Sequence, residues 1–188
     1  MVDENIRDQF VTVPKIARLL AADQSFVCEI GLDEFGQDEV ILRLQQVVGF
    51  VLAMYNAAKT IFRRAKKQTL DDKFIELIYS RICLMPEIIE SETPPRDYAE
   101  QCYYLHREKM ESEELVKKWE DMALYEQFFE ICVCVFLEEM KLDRHDLHIR
   151  VPELEKMAAR SIMGKTFKGV FSHINWGLDD IAAEVEPI

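Results

Sequence analysis

Asp143-Arg144-His145-Asp146-Leu147-His148 concentrates imidazole, carboxylate and guanidinium groups in one short stretch. With His106 upstream and Asp179 downstream, His145 and Asp146 supply the neutral imidazoles and carboxylates that a divalent ion needs. Such an ion would lower the pKa of a bound water for attack on a phosphate ester. Arg144 and His148 suggest a second chemistry, a cation for a phosphodiester and a base for its 2′-hydroxyl.

The order His106, His145-Asp146, then Asp179 or Asp180, resembles, in motif geometry alone, the metal site of all-helical HD phosphohydrolases. Arg144 and His148 are similar in the same limited sense to the Arg…His pair of helical ribonucleases, although their spacing is shorter. The stretch is polar and precedes Pro152, so the primary expectation is a solvated connection in which His145 and Asp146 cap neighbouring helices. A metal-dependent phosphohydrolase is the alternative reading. Glu87/Glu90 and Glu108/Glu111 are i,i+3 carboxylate pairs, and Asp143/Asp146 is a third in a connection. No Glu-x-x-His occurs, Gly164-Lys165-Thr166 lacks the upstream glycine of a phosphate loop, and Cys102/His106 has no companion pair for zinc. These patterns lead to an expectation of no cofactor and no metal, and lean against an enzyme.

Charge narrows the partners. A formal net charge of -12 disfavours nucleic acid and anionic membranes and suits another protein with a basic patch. Arg63-Arg64-Ala65-Lys66-Lys67 is the main basic cluster and fits a helix C-terminus. The apolar run Ile131–Leu137 is too short to span a bilayer, and the opening Met1-Val2-Asp3-Glu4 lacks the order of a signal peptide. The expected compartment is cytoplasmic. Cys28, Cys83, Cys102, Cys132 and Cys134 are odd in number, so reduced, buried thiols are expected.

Apolar residues recur at intervals of three or four through almost every long stretch, and only 6 of 188 residues are glycine. The expected fold is a single all-α helical domain of about six or seven helices. Residues 1–12 are expected to be loose, with the first helix opening at Thr12-Val13-Pro14. A short extended segment is the expected exception over Phe26–Leu32. Val40, Leu44, Val47, Val51, Tyr55, Ala58, Ile61 and Ala65 predict a long helix over Asp38–Lys67. Thr69 predicts the next N-cap, Pro94-Pro95 an interhelical break, and Ser112 the cap of a helix running to Lys141. Pro152 opens the last helix, which Gly164 and Gly169 should weaken.

Tyr98, Cys102 and Leu105 are expected inside the helix that follows Pro95, with Tyr103 and Tyr104 on a flanking face. Both members of an adjacent pair cannot occupy one narrow stripe, so Tyr103 and Tyr104 are candidate interaction residues. Trp176 joins them, as do Ile181 and Val185, which keep helical spacing in the acidic tail 179–188. Association with a second copy is compatible with the same features. The functional expectation is a non-enzymatic interaction or regulatory module: an acidic helical adaptor, chaperone or inhibitor.

Overall fold

A computed structural model describes residues 4–85, 88, 92–112, 117–143, 153–172 and 177–178. The fold is all-α: seven α-helices and no strand among the described residues. We number them α1 (Glu4–Ala22), α2 (Gln24–Glu29), α3 (Gln37–Arg64), α4 (Leu70–Ile82), α5 (Pro95–Ser112), α6 (Leu124–Asp143) and α7 (Glu153–Phe171). A 3-10 turn, Trp119–Asp121, precedes α6. The chain groups into two compact units, Met1–Tyr55 with Pro152–Trp176, and Asn56–Val151 with Gly177–Ile188. The Pro94-Pro95 break lies within the second unit, as an interhelical loop should.

The first unit holds α1, α2, most of α3 and α7. Its described core joins Ala17, Ala21, Phe26, Val27, Val40 and Leu44, with Leu20, Ile30, Leu32, Ile41 and Ile162 packed against it. α1 begins at Glu4, ahead of the expected start at Thr12, and carries Pro14 in its interior. Proline lacks the N–H for one intrahelical bond, but the turns on either side keep theirs. Buried Ile16, Ala17 and Ala21 fix the following turns in place. No extended segment forms at 26–32. Asp23 instead accepts the Phe26 backbone N–H at 3.0 Å and caps α2, which buries Phe26 and Val27. Gly31, at φ 69°, then ends the turn in the left-handed region that suits glycine.

α7 runs without interruption past Gly169, where it packs against α1. A Cβ placed at Gly169 would meet Ile16 Cγ2 at 3.4 Å. Glu29 ties α2 to α7, accepting from Ser161 Oγ at 2.8 Å and Lys165 Nζ at 2.9 Å. The hydrogen bond from Lys165 is the largest reason the Glu29 carboxyl lies below its ordinary value. α3 is buried on several sides, at Val47, Val48, Phe50, Val51, Leu52, Met54 and Tyr55. It is long and apolar enough to cross a bilayer by length and composition alone, yet half of its apolar window is buried within the protein. Core helices pass the same test.

In the second unit α4, α5 and α6 pack on one another. Thr69 caps α4 as its sequence requires, accepting the Asp72 backbone N–H at 3.1 Å. Phe62, Phe74, Tyr103 and Trp119 form an aromatic cluster, with Phe74 packing edge-on against Phe62 and Trp119 at centroid separations of 6.0 Å. Ser112 ends a helix and does not open one: its hydroxyl donates back to the Lys109 carbonyl at 2.8 Å. The single helix expected over 112–141 is broken by the 3-10 turn. Buried Gln127 holds that turn, its Nε2 donating to the Trp119 carbonyl at 2.8 Å. α6 starts afresh where Glu126 reaches back to accept the Ala123 N–H at 2.9 Å.

Candidate interaction surface

α5 is an amphipathic helix with three sides, two engaged with neighbouring helices and one facing outward. Toward α6, its contacts climb in steps of four residues on both helices and in opposite order, which makes the pair antiparallel. Tyr98 donates to Glu138 at 2.6 Å, the Cys134 thiol donates to the Cys102 carbonyl at 3.7 Å, and His106 Nε2 lies 3.2 Å from Glu130 Oε2. Burial, then the bond to the Glu138 carboxylate, pushes the Tyr98 phenol well above its ordinary value.

Toward α4, Ala99 and Tyr103 are buried, and the Tyr103 hydroxyl donates to Asp71. The other Asp71 oxygen accepts from Arg107 at 3.1 Å, and Arg107 also donates to Glu120 at 2.9 Å. Burial pushes the Tyr103 phenol up, and the Asp71 carboxylate adds to the rise. Burial alone would weaken the charge on Arg107, but the field of Asp71 leads a set of anionic neighbours that raises its pKa overall.

The remaining side faces outward. Asp97, Glu100, Gln101, Tyr104, Leu105 and Glu108 follow the helical repeat along one ridge of the helix and border about 430 Å³ of shallow, open space. That volume would suit a small ligand, yet all six lining residues come from one helix, so they cannot wrap around one. Tyr104 is 51% exposed and Leu105 66% exposed, side by side between the carboxylates of Asp97 and Glu100 at one end and Glu108 at the other. The Tyr104 ring is braced edge-on by buried Tyr103, 5.1 Å between centroids. Arg96 partly offsets the acidity, lying 3.9 Å from Glu100 while bonding Glu76 at 2.9 Å. What this face can do is present a held aromatic ring and an aliphatic side chain inside an acidic rim.

Of the sequence candidates, Tyr104 therefore has the exposure a contact needs, and Tyr103 does not. Tyr103 is 1% exposed and positions its neighbour. Leu105, expected inside, is outside: α5 is rotated because polar His106 and Arg107 take inner positions through their carboxylate partners. The helical repeat around Tyr104 was the signal that could have found Leu105, Asp97 and Glu108. His106 is the described member of the proposed metal set and is engaged with Glu130. Among the described residues no three His, Cys, Asp or Glu side chains gather as metal ligands. Arg144, His145, Asp146, His148, Trp176, Asp179, Ile181 and Val185 lie outside the described residues. None of the five cysteines is in a disulfide; Cys132 and Cys134 are buried as expected, whereas Cys83 and Cys102 are half-buried and Cys28 is exposed. Burial drives the Cys132 thiol well above its ordinary value, which disfavours the reactive thiolate.

Compared with known proteins, the chain matches no family model, no curated protein and no solved structure.

Proposed function

We propose that this chain is a cytoplasmic protein-interaction module, an acidic helical adaptor, chaperone or inhibitor, that meets its partner through the outer face of α5. One observation carries the reading: Tyr104 and Leu105 are exposed together inside an acidic rim, on a helix whose other two sides are engaged. Aromatic residues held in place are favoured contact anchors, because little side-chain freedom is lost when a partner covers them. The net charge of -12 favours a partner surface carrying Lys and Arg.

A photo-crosslinking amino acid in place of Gln101, which borders both residues, tests this in cells. A discrete adduct is expected, absent when the label replaces exposed Gln46 and lost when Tyr104→Glu is added. Labelling that is equal at the two sites, or indifferent to Tyr104→Glu, would rule the surface out.

A further inference from the structure

Resting on that interaction reading, we infer that the occupant of the α5 face is a basic amphipathic helix of another protein. The shape of the site selects a helix. The backbone donors and acceptors along the middle of α5 are consumed within the helix, so no edge is available for an added strand. Tyr104 is the one aromatic residue among the six that line the face, too few for the ring-lined groove that grips a proline-rich segment. What the face offers is a straight ridge from Asp97 to Glu108, about 16 Å at the α-helical rise. A facing helix with apolar residues every three or four positions covers Tyr104 and Leu105 along that ridge.

Charge selects the sign of the partner. Lys or Arg flanking its apolar stripe would meet Asp97 and Glu100 at one end and Glu108 at the other. A second copy presenting the same face would set carboxylates against carboxylates. The chain's own segment 179–188 carries Asp179, Asp180, Glu184 and Glu186 with no basic residue, and would be repelled likewise.

The test titrates the full-length protein with three fluorescent synthetic peptides: an amphipathic Leu/Lys helix, the same residues shuffled so that no apolar face forms, and an amphipathic Leu/Glu helix. The Leu/Lys helix should bind at least about tenfold tighter than the shuffled peptide, the Leu/Glu helix should not bind, and added salt should weaken the complex. The double variant Tyr104→Ser/Leu105→Ser, which keeps every charge, should lose about tenfold or more in affinity. Asp97→Asn/Glu100→Gln/Glu108→Gln should lose affinity and most of the salt dependence.

Equal binding of the ordered and shuffled peptides, or a Tyr104→Ser/Leu105→Ser variant that binds like the wild type, overturns the inference. So does a dimer in sedimentation that this variant dissolves, since a second copy would then be the occupant. If the Gln101 label still forms its Tyr104-dependent adduct while the peptides fail, the interaction surface stands and the basic helix falls.

Discussion

The α1, α2 and α7 group and the α4, α5 and α6 group both bury an apolar core, but they differ in the polar links laid across it. In the first, aliphatic side chains and Phe26 fill the space between helices, and one carboxylate, Glu29, links α2 to Ser161 and Lys165 of α7. In the second, a run of directional polar links joins the helices around the buried aromatic cluster: Tyr103 to Asp71, Tyr98 to Glu138, Arg81 to Glu139 at 2.6 Å, and His106 to Glu130. Apolar contact is proportional to area and indifferent to small rotations. A hydrogen bond weakens steeply when misaligned, so a ladder of them sets the rotation of a helix about its axis. That is why α5 turns Tyr104 and Leu105 outward.

The strongest way to break this comparison is Phe26→Ala, which should cost about 3–5 kcal/mol in thermal or denaturant unfolding, because it empties a fully buried site in an apolar core. No polar deletion in the α4–α6 group should match it. Tyr103→Phe keeps the ring but leaves Asp71 without that donor, and should cost about 1–2 kcal/mol. The same variant has a pH signature. Tyr98 and Tyr103 have folded-state values raised by burial, so their contribution is complete below the ordinary tyrosine value of about 10 and is lost as pH rises beyond it. Tyr103→Phe should lessen that alkaline loss.

Lys73 offers a smaller effect of opposite sign. It is buried, its ammonium 5.1 Å from the centroid of the Phe62 ring, and desolvation lowers its pKa. Unfolded chains hold that proton up to about 10.4, so the penalty is complete at lower pH and relieved as pH climbs from the depressed folded value toward 10.4. Lys73→Met should remove that slope and stabilise by about 1 kcal/mol at neutral pH. Gly169→Ala should give the smallest gain, about 0.5–1 kcal/mol, from helix propensity, since the added methyl meets Ile16 at ordinary contact distance.

How much was legible in the sequence follows from the same contrast. The α3 stripe and the Thr69 cap could be read because apolar periodicity and capping chemistry act locally. α2 escaped because six residues span less than two turns, and its cap from Asp23 carries no periodic signal. The break before α6 depends on Gln127 reaching the Trp119 carbonyl, a tertiary bond invisible to a helical repeat. The rotation of α5 was misread for a related reason: His106 and Arg107 count as surface residues until Glu130 and Asp71 are known to face them. For the interaction site, the pattern marked Tyr104, but the acidic rim needed the rotation first.

The central claim is that Tyr104 and Leu105 are spared by the fold and used for recognition. Thermal unfolding of Tyr104→Ser/Leu105→Ser, measured on the sample used for the Leu/Lys peptide titration, tests it most directly. A stability loss of no more than about 1–2 kcal/mol, from the Tyr103–Tyr104 ring contact and helix propensity, with binding reduced about tenfold or more, is the predicted result. A loss of stability approaching that of Phe26→Ala, or peptide affinity equal to the wild type, would contradict it.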